Sequence, residues 1–141
     1  MKSSSMKYKH LFLIVAAVLV AVGITCFAVF PLEEESPDYS HLIGRWVRPD
    51  GGYVLHIQNV QPDGKLQAEY LNPRSINISK ANANSNADKI EIFVQLRDRN
   101  YPGSYYKLTY DSAKDILIGV YHQLQTGQNY KVFFARKPIS I

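Results

Sequence analysis

Lys89-Ile90-Glu91-Ile92-Phe93-Val94-Gln95-Leu96-Arg97 alternates along almost its whole length. Ile90, Ile92, Val94 and Leu96 share one side of an extended chain, while Glu91, Gln95 and Arg97 share the other with Phe93. Successive side chains of a strand point to opposite faces, so a period of two indicates a strand buried on one side. The pattern recurs on both sides of this segment. Leu66, Ala68 and Tyr70 oppose Gln67 and Glu69, and Tyr106, Leu108 and Tyr110 oppose Lys107 and Thr109. Further on, Ile116, Ile118 and Val120 read as one apolar face, as do Val132 and Phe134. No helical period appears anywhere after residue 40.

Turn signals punctuate these runs. They are Pro49-Asp50-Gly51-Gly52, Pro62-Asp63-Gly64, Asn72-Pro73-Arg74-Ser75, Asn84-Ser85-Asn86-Ala87-Asp88, Asn100-Tyr101-Pro102-Gly103, Asp111-Ser112-Ala113-Lys114-Asp115 and Thr126-Gly127-Gln128-Asn129. Each supplies Gly or Asn for a positive φ, or Pro for a preset one. Seven turns separate eight expected strands, at 42–48, 53–60, 65–71, 76–83, 89–97, 104–110, 116–123 and 129–136. The fold class expected is therefore all-β. Short connections favour an up-and-down order, and eight antiparallel strands close into a small barrel without a free edge. A sandwich is the alternative.

The N-terminal part has a different character. Residues 11–30, LFLIVAAVLVAVGITCFAVF, contain no charge and as a helix would span roughly 30 Å, the thickness of a bilayer core. Lys2, Lys7 and Lys9 precede this run and Glu33, Glu34 and Glu35 follow it, which orients the N-terminus toward the cytoplasm. The expected organisation is a basic cytoplasmic segment at 1–10 and a transmembrane anchor or signal sequence at 11–30. An acidic, proline-bracketed linker at 31–40 and an extracytoplasmic β-domain at 41–141 follow. The run is longer than a signal-peptide core, which favours a retained single-pass anchor over cleavage after Ala28 and secretion. Lipidation at Cys26 is the third option, and Thr25 and Gly23 fit it poorly.

Cys26 is the only cysteine, so the β-domain has no disulfide, no cysteine-based zinc site and no thiol nucleophile. From Ser40 onward the chain carries 13 Lys and Arg against 8 Asp and Glu, scattered rather than clustered. That distribution argues against a nucleic-acid partner. His56 and His122 lack a ligand-type neighbour two or four residues away, so no metal is expected. Glu69 and Glu91 are the only acidic residues in the eight expected strands, and no Gly-x-Ser-x-Gly or phosphate loop is present. Neither an enzyme nor a cofactor is expected; an enzyme of unknown class, with His56, His122 and a carboxylate brought together from distant strands, is the third reading.

Gly44-Arg45-Trp46, Gly51-Gly52, Ile57, Asp63-Gly64, Leu66 and Tyr70 together resemble the first hairpin of the avidin and streptavidin family. Gly-x-Trp also opens the lipocalins. Both families are eight-stranded antiparallel barrels that hold small molecules at an open end. The resemblance implies structural roles for Gly44 and Trp46, and it places Arg136 to pack on Trp46 as an Arg beyond the last lipocalin strand does. It does not extend to biotin. The positions of the biotin-binding Asn and Ser hold Arg48 and Gly52, and Trp46 is the only Trp. GRWVRPDGGYVL and LRDRNYPGSYY also resemble a family of small exported bacterial β-proteins, which brings no activity with it.

The segment Arg97-Asp98-Arg99-Asn100-Tyr101-Pro102-Gly103-Ser104-Tyr105-Tyr106 sets alternating charge and three tyrosines around one turn. Tyrosine offers an apolar face and a hydroxyl, which suits a ligand rim. The candidate ligand-binding residues are Tyr53, Tyr70, Asn72, Arg74, Arg97, Tyr101 and Tyr106. The expected partners are the membrane, through the N-terminal helix, and a small apolar or amphiphilic ligand. The rival is an envelope protein docked on an outer face carrying Phe93, Tyr105, Tyr121 and Phe133.

Overall fold

The computed structural model describes residues 36–136. After a 3-10 turn at Ser40–Leu42, the chain forms nine strands. These are β1 (Gly44–Val47), β2 (Val54–Val60), β3 (Leu66–Asn72), β4 (Arg74–Ile76), β5 (Ile78–Asn86), β6 (Lys89–Leu96), β7 (Tyr105–Asp111), β8 (Ile116–Gln123) and β9 (Gln128–Arg136). They make one sheet in the order β4-β3-β2-β1-β9-β8-β7-β6-β5, with every neighbouring pair antiparallel. The outermost members, β4 and β5, are consecutive in the chain, so the two ends of the sheet meet and the barrel nearly closes. At the seam, Ala83 N–H donates to the Gly64 carbonyl at 2.7 Å, and Lys65 bridges to Asn82.

The count is nine rather than eight because the strand expected at 76–83 divides at Asn77. Arg74–Ile76 turns back on β3, whereas Ile78–Asn86 pairs with β6. Asn77 is held at the division by Asp98. The Asp98 carboxylate accepts from the Asn77 backbone N–H (3.1 Å) and from its side-chain amide (2.7 Å), while Arg97 N–H donates to the Asn77 carbonyl.

The core runs through the barrel interior. Trp46, Tyr70, Tyr106 and Phe134 are the largest fully buried side chains, packed among Leu55, Ile57, Ile92, Val94, Leu96 and Leu117. On β6 the inward residues are Ile92, Val94 and Leu96, as alternation requires. β8 departs from expectation. Its inward residues are Leu117, Gly119 and Tyr121, and Ile118 faces outward, 48% exposed. Both faces of β8 are apolar, so its own period cannot choose between them. The choice comes from its neighbours: Tyr106 and Leu108 on β7 oppose Tyr121 and Gly119, and Phe134 on β9 opposes Leu117. Residues directly opposite across an antiparallel pair share a face. Tyr121 therefore leaves the outer set and joins the interior, while Phe133 stays outside.

At Gly119 the neighbouring strand β7 leaves no room for a side chain. A Cβ there would lie 2.0 Å from the Lys107 carbonyl oxygen and 2.9 Å from the Leu108 Cα, both backbone atoms. Gly119→Ala is expected to force the two strands apart and cost about 3 kcal/mol, the upper end for overpacking. A thermal midpoint unchanged by this substitution would contradict the packing described.

The expected anchor at 11–30 and the basic segment at 1–10 lie outside the described residues, as does the linker up to residue 35. Among the described residues no helix is long and apolar enough to cross a membrane.

Candidate functional site

Strand direction alternates along an up-and-down barrel, so alternate turns share one end. β4 and β5 run in the same direction, as two parts of one interrupted strand, so the β1–β2, β3–β4, β6–β7 and β8–β9 connections gather at one mouth. The tyrosines flanking them follow from the register, with Tyr106 opposite Tyr121 and Tyr121 opposite Tyr130 on three adjacent strands. Tyr70 comes from β3, and Tyr53 from the turn before β2.

These side chains surround an open cleft of about 370 Å³, lined by Arg48, Tyr53, Tyr70, Asn100, Tyr101, Tyr106, Tyr121, Gln123 and Tyr130. Its walls are stacked rings. Tyr53 lies parallel to Tyr70 at 6.3 Å, Tyr106 tilts onto Tyr121 at 4.6 Å, and Tyr121 lies near-parallel to Tyr130 at 6.3 Å. Arg48, 8% exposed, is the buried cation of the cleft. Its Nε and Nη2 donate to the two carboxylate oxygens of Asp50, at 2.9 and 2.5 Å. Its Nη1 donates to Tyr106 Oη at 3.1 Å, and its guanidinium lies 4.6 Å from the Tyr53 ring centre. Tyr106 Oη and Tyr70 Oη are 2.6 Å apart, sharing one hydrogen bond.

This geometry fixes the charge states. Burial raises the Tyr70 phenol, and the adjoining Tyr106 adds to that. Burial also pushes Tyr106 up to about 12, although its bonds to Tyr70 and Arg48 pull the other way. Tyr121 is likewise raised by burial. For Arg48, burial opposes the charge, but the bonds to Asp50 and Tyr106 more than offset it and the guanidinium stays charged. The same bond holds the Asp50 carboxyl below its ordinary value. At neutral pH the cleft thus presents flat rings, protonated hydroxyls and one cation.

Of the candidate residues, Tyr53, Tyr70, Tyr101 and Tyr106 line this cleft. Asn72 and Arg74 line a neighbouring hollow of about 350 Å³ with Asp98, Arg99 and Asn100, and Tyr101 belongs to both. Asn72 Nδ2 donates to Tyr101 Oη at 2.7 Å across the boundary. Arg97 lines neither. Leu96 points inward, so the next residue points out, and Arg97 is exposed. Alternation alone does not mark Arg48, Asn100, Tyr121, Gln123 and Tyr130 as lining residues. The parity of the turns is the signal that finds Arg48, Asn100 and Gln123.

Trp46 and Arg136 stand at the other end. Trp46 pairs with Arg136, six residues along β9 from Tyr130, or roughly 20 Å at the strand rise. The Arg136 guanidinium lies 4.1 Å from the Trp46 ring centre and bonds Asp115 (2.6 Å), the Ile43 carbonyl (2.9 Å) and the His41 carbonyl. Trp46 Nε1 donates to the Leu42 carbonyl at 2.8 Å. Gly44 (φ +142°) clears room for this clamp, since a Cβ there would sit 2.7 Å from Arg136 Nη1.

The histidines are apart from the cleft. His56 lies 3.7 Å from its cross-strand partner Glu69, and His122 stacks on Tyr105 at 4.4 Å. Among the described residues no three His, Cys, Asp or Glu side chains are grouped to hold a metal. Comparisons with protein-family models, with curated proteins and with solved structures gave no match to this chain.

Proposed function

We propose that this chain is a membrane-tethered, extracytoplasmic binding module, non-enzymatic, that takes a small amphiphilic molecule at the mouth of its barrel. The observation that carries this reading is the aromatic cleft built around a buried Arg48. Its volume of about 370 Å³ falls at the small end for ligand pockets, and concave sites of flat rings with a few placed polar groups are the usual form of such pockets. The likeness of the opening hairpin to avidins and lipocalins supports the same reading, because those barrels bind at an open end. In this proposal the anchor is the run at 11–30, the linker holds the barrel off the membrane, and the chain belongs with small exported bacterial β-proteins.

The second reading, an envelope protein docked on the outer surface, is favoured by Ile118 and Phe133. They face each other across β8 and β9, and both are about half exposed. Native mass spectrometry separates the two. The full chain, purified from an envelope fraction without denaturation and released from detergent, is expected to carry a small molecule that Tyr53→Ala loses. A clean apo mass would move the search to partners of the Ile118–Phe133 surface.

A further inference from the structure

The hydroxyls and N–H groups of the cleft do not balance. Arg48 has five N–H donors and no acceptor. Three are spent, two on Asp50 and one on Tyr106. One on each terminal nitrogen has no acceptor among the described residues. Tyr70 and Tyr106 bring two protons to a single shared bond, and the Tyr106 oxygen already accepts from Arg48. Whichever phenol donates, the other proton is left over. Tyr121, 8% exposed, has a fully buried hydroxyl with no hydrogen-bond partner. Ser104 lies near enough to affect its titration without reaching bonding geometry, and the Ser104 oxygen accepts instead from Leu124 N–H at 3.2 Å.

Four donors thus lack acceptors around one cleft, and no carboxylate lines it. Buried donors without partners are costly, so a set of them marks where a complementary group belongs. A neutral hydroxyl would bring a fifth donor. A carboxylate brings two oxygens, about four acceptor sites and no proton.

Resting on the binding reading above, we infer that the ligand is a carboxylate with a flat or apolar body. Its head is held by Arg48, and by Tyr121 and the Tyr70–Tyr106 pair once small side-chain shifts open these hydroxyls, closed to water in the free protein, to the cleft; its body lies against Tyr53 and Tyr130. Asp50, on the solvent side, keeps the guanidinium fixed through its other edge, so the head group meets a donor array that is already in place.

The test uses 2-naphthoate and its uncharged counterpart 2-naphthamide, titrated by calorimetry into the full chain in detergent micelles, with empty micelles as the blank. The wild type is expected to prefer naphthoate by about tenfold or more, the scale of charge-assisted hydrogen bonds. Tyr121→Phe removes one unpartnered oxygen and nothing else. It is expected to weaken naphthoate about tenfold, to weaken naphthamide, whose neutral carbonyl is the poorer acceptor, by no more than about threefold, and to raise the thermal midpoint of the ligand-free protein. Arg48→Gln is expected to abolish the preference. Equal affinity for the two probes, or a Tyr121→Phe variant that holds naphthoate as before, would overturn the carboxylate assignment and leave the binding module standing. Binding of neither probe up to about 1 mM, weaker than about −4 kcal/mol, would overturn both.

Discussion

Trp46→Ala is expected to lower the stability of the domain by about 3–5 kcal/mol, the range for deleting a buried aromatic side chain. A domain of this size has about 5–15 kcal/mol in total, so the variant should be largely unfolded at temperatures the parent tolerates. Three losses combine. The ring is fully buried, so its removal leaves a cavity in the core. The Leu42 carbonyl loses the indole N–H that satisfies it. Arg136 loses the face on which its guanidinium lies, and that guanidinium ties the 3-10 turn to the end of β9 through the His41 and Ile43 carbonyls. Trp46→Phe keeps a ring under Arg136 and loses only the hydrogen bond and part of the volume, so it should cost less than half as much. Urea unfolding of both variants measures the difference. Equal losses would mean that Trp46 acts through its indole N–H alone.

The strands are legible because each carries its own period and its own stop. Ile92, Val94 and Leu96 are inward in the sequence pattern and buried in the fold. The division at Asn77 is not legible, because it depends on a carboxylate at Asp98, 21 residues away. The inner face of β8 is hidden for a different reason. Ile116, Ile118 and Val120 are as apolar as Leu117, Gly119 and Tyr121, and only the pairing with β7 and β9 decides between them.

The cleft is partly legible for the same physical reasons. An up-and-down order puts alternate turns at one end, which groups Tyr53, Tyr70, Tyr101 and Tyr106. Arg48 escapes because a lone arginine beside a Pro-Asp-Gly-Gly turn reads as a solvated charge. Its burial requires Tyr53 and Tyr106, from two distant elements, to close over it. The outward turn of Arg97 follows from Leu96 alone, whereas the segment's charge pattern points the other way.

Raising the pH from about 9 to about 13 is expected to unfold the domain in one cooperative step. In the unfolded chain a tyrosine loses its proton near 10. In the fold, burial raises Tyr70, Tyr106 and Tyr121 above that value. A raised folded pKa means that the protonated fold is favoured. The contribution is complete below pH 10 and disappears as the pH climbs through about 12 at Tyr106. The rise at Tyr106 is worth about 3 kcal/mol, and Tyr70 adds to it with the same sign. Because the two hydroxyls share a bond, the titration belongs to the pair. The rise in phenolate absorbance should therefore include a step that coincides with the loss of the β-sheet circular dichroism signal. Tyr121→Phe removes one raised phenol and should move that step to higher pH. Complete ionisation of the tyrosines with the β-sheet signal intact would show that the mouth opens to solvent without unfolding, and that its rings are not part of the core.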